Sequence, residues 1–309
     1  MDITKNLKFY LLIPAVLTVL SLGALFAWGL KPGIDLAGGS LLQVEYPAGR
    51  PHVDMVRDAV SNTKLGLGEV RVQPTGEFGY ILRQRDLSVA EKDTLLQPLR
   101  NMGEMEEVQF SSIGPSLGQE LMRKAWIAIG LVVTCIILFI AFAFRRPSSP
   151  DDKPLPDTVS SWKYGIVAIV TLLHDIILPV GLFALLGHYA GAEVDALFIV
   201  ALLTILGISI NDTIVIFDRI RENLRLNAEH KKKEEFEHVV SKSIGQTISR
   251  SINTSLTVLI VLAALWVAGP EATQDFALVL IVGMVAGTYS SIFLAAPLLV
   301  AWQKWQKKA

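Results

Sequence analysis

Residues 9–30 carry no charged side chain, and the chain repeats that pattern at 125–144, 164–192, 196–217, 251–270 and 276–303. His174 and Asp175 interrupt the third run, and Asp212 interrupts the fourth. A helix needs ~20 apolar residues to cross ~30 Å of hydrocarbon, and each run reaches that length. One such run also suits a buried helix of a soluble protein, but six within 309 residues do not. The expected class is a polytopic α-helical membrane protein with six transmembrane helices. The first run is too long for a signal-peptide core and lacks an A-x-A site after it, so it is read as a retained anchor.

Composition points the same way. Apolar residues make up 51% and charged residues 18%, against about a quarter charged in soluble domains. A net charge of −1 gives no basic surface for nucleic acid. One cysteine, Cys135, excludes an intrachain disulfide framework. Five histidines and that cysteine show no ligand spacing, so no metal is expected.

Lysine and arginine fall on alternate loops. They occur at Lys5 and Lys8, at Arg145, Arg146, Lys153 and Lys163, and at Arg219, Arg221, Arg225, Lys231, Lys232, Lys233, Lys242 and Arg250. The carboxyl tail adds Lys304, Lys307 and Lys308, whereas the short segments near 188–195 and 270–275 carry none. Both termini are therefore expected in the cytoplasm. Arg123 and Lys124 run against this pattern, but they end a long translocated segment, where the bias is weak. The expected organisation is a tail and first helix (1–31), an extracytoplasmic domain (32–122), and helices two to six with their loops (123–309).

The segment 32–122 is polar enough to fold in water. Residues 40–46, 69–73, 80–84 and 106–113 read as strands, with a turn at Gly76. Residues 51–64 have helical spacing through Val53, Val56 and Val60. Residues 88–102 form a second helix that Ser88 and Glu91 can cap. The resulting β-α-β-β-α-β order is a small α+β, ferredoxin-like domain between helices one and two. Just before it, Gly33, Asp35, Gly38 and Gly39 mark a tight, special backbone. The segment lacks the Gly-Lys-Ser/Thr ending of a phosphate loop, so no nucleotide is expected.

Ionisable groups inside lipid cost roughly 2.5–3.5 kcal/mol on insertion scales and mark function or pairing. Four stand out: His174, Asp175, Asp212 and Arg250. Asn211, Ser209 and Thr213 are expected to surround Asp212, and Arg250 opens a polar stripe through Asn253, Thr254 and Thr257. A stripe of that kind is expected to face protein or water. Asp212 and Arg250 read either as a structural ion pair, with an arginine able to snorkel to the interface, or as a proton site. A free aspartic acid ionises near pH ~3.9, so exchange near neutrality asks its surroundings for about 4 kcal/mol. Burial supplies this and a nearby guanidinium opposes it, so a proton site requires the pairing to break during a cycle. His174 and Asp175, being adjacent, are expected to point in different directions; they read as a polar packing contact or as a second relay element. Gly283 and Gly287 allow close helix contact, with Ser290 and Ser291 continuing the small face.

Several stretches resemble the SecF branch of the SecD/SecF family of bacterial protein-export membrane proteins. Gly33-Ile34-Asp35-Leu36-Ala37-Gly38-Gly39 resembles its first-helix motif, and 207–223, with Asn211-Asp212-Thr213 at its centre, its fourth-helix signature. Ser249-Arg250-Ser251-Ile252-Asn253-Thr254-Ser255 resembles the fifth-helix motif, and Gly287-Thr288-Tyr289-Ser290-Ser291-Ile292-Phe293 the sixth. Ile208 stands where tyrosine is frequent, and the stretch 225–242 looks longer than usual. The resemblance implies an RND-like six-helix half in the bacterial inner membrane and a related partner half, SecD. It implies association with the SecYEG channel and YajC, unfolded preproteins as cargo, and the proton gradient as energy source without a cofactor. It places Asp212 and Arg250 on the proton path and assigns no catalytic residue. Two other readings compete. Half of an RND-type small-molecule exporter would usually carry a much larger outer domain. An intramembrane aspartyl protease using Asp175 and Asp212 would need two carboxylates sharing a site, and the usual Gly-x-Gly-Asp setting is missing.

Overall fold

The computed structural model describes residues 7–63, 65–68, 70–144, 161–230, 232 and 234–308, with backbone only at 8, 161, 271, 272, 307 and 308. The charges at Lys5, Arg145, Arg146, Lys153, Lys231 and Lys233, and the expected element ends at Lys64 and Glu69, lie outside the described residues. In chain order the elements are α1 Leu7–Trp28, α2 Ile34–Ala37, β1 Gly39–Glu45, α3 Val53–Ser61, β2 Arg71–Thr75, β3 Gly79–Gln84, α4 Val89–Arg100, β4 Glu106–Ile113, α5 Pro115–Ala143 and α6 Ser161–Tyr189. Then come α7 Ala196–Glu229, α8 Phe236–Ala268, α9 Glu271–Ser290, a π-turn Ser291–Ala295 and α10 Ala296–Lys308. Among the described residues, six helices are long and apolar enough to cross a membrane, the last running through the π-turn as Thr273–Gln306. The chain forms two compact units: a sheet unit of Pro32–Ile127 with Val194–Ala196, and a membrane unit of Met1–Lys31, Ala128–Glu193 and Leu197–Ala309.

In the sheet unit the strand order is β2-β3-β1-β4, all neighbours antiparallel, which is the ferredoxin-like arrangement expected. Side chains alternate across a strand, so Leu42 and Val44 of β1 and Tyr80 and Leu82 of β3 point to one face. There they meet Val56 and Val60 of α3 and Leu95, Leu96 and Leu99 of α4 in one core. Tyr46 joins that core and donates its hydroxyl to the Leu99 carbonyl at 3.2 Å; burial, with Tyr80 beside it, pushes the phenol up to about 12. Pro74 sits inside β2, tolerated because β2 is an edge strand that needs no second set of ladder bonds. The register of β1 on β4 slips between Gln43 and Val44, leaving Val108 without an opposite residue and 51% exposed.

In the membrane unit, half of the α6 and α7 spans and 61% of the last span are buried, against 6% for α1. These three therefore make the inner layer. Its floor is aromatic: Tyr164 stacks on Phe144 at 5.6 Å and meets the edge of Phe217 at 5.3 Å. Helices α7 and α8 run well past their apolar stretches, to Glu229 and from Phe236. Arg225 pairs there with Glu229 at 2.8 Å, an i,i+4 contact that supports helix in water. Most of the charged stretch 225–242 is thus helix.

Ser88 and Glu91 form the expected capping box at the head of α4. Glu91 also pairs with Arg85 at 2.5 Å, and first that bond, then the Ser88 amide and hydroxyl, hold its carboxyl at about 2. A carboxyl held below its unfolded value stabilises the fold above the unfolded value and loses that contribution as pH falls towards the folded one. Glu91→Gln should therefore lower the denaturant midpoint of the sheet unit at pH ~7. The gap from the parent chain should close as pH drops through the ~4 to ~2 window. Circular dichroism across that range checks it.

Candidate functional site

The buried face of α7 repeats every three or four residues through Phe198, Leu202, Ile205, Ser209, Asp212 and Ile216, with Thr213 beside Asp212. That spacing turns Asp212 inward, 7% exposed, whereas its neighbour Asn211 faces outward. The expectation that Asn211 lies around the carboxylate therefore does not hold. Asp212 instead lines a pocket of about 100 Å³ together with Thr204, Ser209, Val258, Leu262 and Thr288. Ser255 of α8 stands within hydrogen-bonding reach of the carboxylate, and Ser255 and Thr288 hydroxyls meet at 2.6 Å.

Arg250 is exposed on α8, close enough for Asp212 to feel its charge, but no ion pair within 4.0 Å joins them. Asn253, Thr254 and Thr257 are exposed beside it. The polar stripe thus looks away from this chain's own helices. The polar residues that α8 turns inward are Ser243, Thr247, Ser251 and Ser255. This run of hydroxyls every four residues is plain in the sequence once an i+4 repeat of small residues is sought, and it was missed beside the more polar stripe. Ser255 and Thr288 are the site residues the sequence reading overlooked.

His174 and Asp175 do not diverge as expected. Rotation of both side chains brings His174 Nδ1 to 2.9 Å from Asp175 Oδ1, with 4% and 0% of the side chains exposed. Ser209 donates its hydroxyl to the other Asp175 oxygen. Both Asp175 oxygens therefore have partners, and Ser209 of α7 stands one turn before Asp212.

Gly283 and Gly287 of α9 face α7. A Cβ on Gly283 would lie 2.2 Å from Ile205 Cδ1, and one on Gly287 2.9 Å from Ser209 Cβ. The missing side chains thus let α9 close over the segment that carries Ser209 and Asp212. One turn on, Ser291 donates to the Gly287 carbonyl at 2.8 Å, and its oxygen lies 2.9 Å from that of Thr213. In the sheet unit, Gly38 and Gly39 take φ of 81° and 137°, which favours glycine. A Cβ on Gly38 would also come within 2.8 Å of Pro115 Cα. The Gly33 amide donates to the Val194 carbonyl at 2.8 Å, and Asp35 Oδ2 accepts from the Ala196 amide at 3.3 Å. These residues hold backbone to backbone. Among the described residues no group of three or more His, Cys, Asp or Glu could hold a metal.

Comparison with known proteins places these features. The model of the C-terminal region of the protein export membrane proteins SecD/SecF matches residues 94–150 and 159–305. The SecD/SecF GG motif matches residues 23–46. Protein translocase subunit SecF of Thermobaculum terrenum is 41% identical over 90% of this chain and 86% of its own length. That of Synechocystis is 33% identical over 99% and 95%. The crystal structure of SecDF, a translocon-associated membrane protein from Thermus thermophilus, superposes with a TM-score of 0.81 at 30% identity over 97% of this chain. This chain spans 38% of that longer one.

The glycine contact with α7 is testable by compensation. Gly283→Ala should destabilise the membrane unit by about 1–3 kcal/mol through overpacking against Ile205. Ile205→Ala alone should cost about 2–5 kcal/mol. The double variant should fall short of the sum by ~0.5–3 kcal/mol, because the new methyl fills the space vacated. Thermal unfolding in detergent measures all three.

Proposed function

The chain belongs to the SecD/SecF family of protein export membrane proteins, and we propose that it is the SecF-type half of an export complex in the bacterial inner membrane. Its partner half is SecD, and the pair sits against the SecYEG channel, with YajC as a further member. The complex draws unfolded preproteins outward late in export, using the proton gradient and no cofactor. The alternating lysine and arginine content of the loops supports both termini in the cytoplasm.

One observation carries this reading: a buried Asp212 that neighbours Arg250 without pairing with it. A locked pair would keep the carboxylate ionised; a separable one lets it take up a proton when the guanidinium withdraws and give it up when it returns. Each charge that crosses the full potential yields ~2.3 kcal/mol per 100 mV, enough over a few protons to move helices against a load. The exposed face of Arg250, Asn253 and Thr254 supports a second half alongside. Hydrocarbon disfavours such a face, and a partner helix with polar groups of its own covers it.

Asp212→Asn in the assembled complex should reduce proton conduction into vesicles to the level of empty vesicles. It should also stall late export of a preprotein in cells, leaving complex assembly and small-molecule resistance unchanged. Flux assays and export kinetics on one set of variants check both. Lost resistance with normal export would instead identify a small-molecule exporter.

A further inference from the structure

The membrane unit contains a second buried carboxylate, and its surroundings are unusual. Asp175 is fully buried, bonded by His174 Nδ1 on one oxygen and by the Ser209 hydroxyl on the other. His174 is 4% exposed, and its Nε2 meets no hydrogen-bond partner. Among the described residues no lysine or arginine forms an ion pair or hydrogen bond with either side chain. The apolar stretches of α1, α5 and α9 offer only Tyr10, Cys135 and Tyr289 as ionisable groups, and the π-turn and α10 as far as Gln303 offer none; α7 offers Asp212 in its apolar stretch, with Arg219 and Arg221 ten and twelve residues beyond Ser209, ~15–18 Å along the helix. The nearest lysine or arginine along α6 is Lys163, twelve residues away and hence ~18 Å.

A buried carboxylate is balanced either by a cation or by a proton. The pair becomes neutral when it holds one extra proton, as carboxylic acid beside imidazole or carboxylate beside imidazolium. Ser209 connects this pair to the site already described. Its hydroxyl bonds Asp175, and it lines the same pocket of about 100 Å³ as Asp212. The pocket has room for a water-sized molecule, and Thr204, Ser209, Asp212 and Thr288 on its wall offer the hydrogen-bonding groups that would hold one.

We propose that His174 and Asp175 form a second proton station, loaded from Asp212 through Ser209. The inference rests on Asp212 being a proton carrier. In the transfer, the Asp212 carboxyl gives its proton to pocket water, and water gives one to the Ser209 hydroxyl. Ser209 releases its own proton to Asp175 Oδ2. Asp212 ends as a carboxylate near Arg250, and the His174–Asp175 pair ends neutral with the proton shared between them. One proton leaves Asp212, one arrives, and Ser209 is regenerated. The proton passes between Asp175 Oδ1 and His174 Nδ1, and a neutral ring that accepts it there already carries its N–H on Nε2.

The test uses the assembled complex with its partner half in proteoliposomes. Proton flux is followed with an internal pH dye, and magnetic resonance follows ¹⁵N-histidine and ¹³C-aspartate labels assigned through His174→Gln and Asp175→Asn. Ser209→Ala, which keeps helix packing, should slow flux ~100-fold or more. In the parent complex the His174 or Asp175 signal should change protonation with pH, and Asp212→Asn or Ser209→Ala should shift that titration. Signals of both residues fixed at every pH would overturn the station, whether or not the variants slow flux, because a purely structural pair gives that result. Wild-type flux and pH profile in Ser209→Ala would overturn it too. If Asp212→Asn still abolishes flux in those cases, the proposed function stands and only the station falls. Flux that survives Asp212→Asn removes both.

Discussion

Hydrocarbon solvates neither a charge nor an unpaired dipole, so polar groups on the spans are driven to find partners within protein. Much of the packing follows from that demand. Hydroxyls on the spans turn back onto their own helices, as Thr18 does to the Pro14 carbonyl at 2.8 Å and Thr134 to the Gly130 carbonyl at 2.7 Å. Others bridge helices, as Thr213 with Ser291 and Ser255 with Thr288 do. The groups that cannot be silenced this way are the ionisable ones, and they gather along the inner faces of α6 and α7. Asp175 is closed in by two partners; Asp212 opens onto a pocket and faces a cation it does not bind. On the proposed reading, that difference separates a place where a proton is stored from one where it is exchanged.

Small residues make the arrangement possible. Gly283 and Gly287 bring α9 onto Ile205 and Ser209, and Gly181 of α6 lies so close to α1 that a Cβ would come 2.4 Å from Ser21 Cα. The hydroxyl ladder of α8 from Ser243 to Ser255 lies on its buried side. Such surfaces trade side-chain bulk for proximity, which lets a short hydroxyl reach a carboxylate on the next helix. The π-turn at Ser291–Ala295 falls where α9 hands this seam to α10, and Ser291 at its start bonds both Thr213 and Gly287. Irregular helix is retained where side chains need a special angle.

The fold was legible where the signal is local. Six uncharged runs announced six spans, and the alternation of β1, the valine spacing of α3 and the Ser88–Glu91 cap announced the sheet unit. Helix ends were less legible, because hydropathy marks where lipid is and not where hydrogen bonding stops. Thus α5 begins at Pro115, a favoured first helical position, ten residues before its apolar run. The strand β2 runs through Pro74, which only its edge position permits. At the candidate site the residue types were visible, but their directions were not. Asn211 and the Asn253–Thr254 stripe face out, Ser255 faces in, and the sequence neighbours His174 and Asp175 meet through their rotamers. Orientation about a helix axis is set by which neighbour lies there, and part of that neighbourhood belongs to another chain.

The account depends on Asp212 changing its protonation while its distance from Arg250 changes. Infrared difference spectroscopy of the assembled complex in oriented membranes, with and without an imposed proton gradient, reads this directly through the carbonyl stretch of a protonated carboxyl. The account predicts a band that appears and disappears with the gradient and is absent in Asp212→Asn. A carboxylate that stays ionised in every condition, with no Asp212-dependent band, would contradict it.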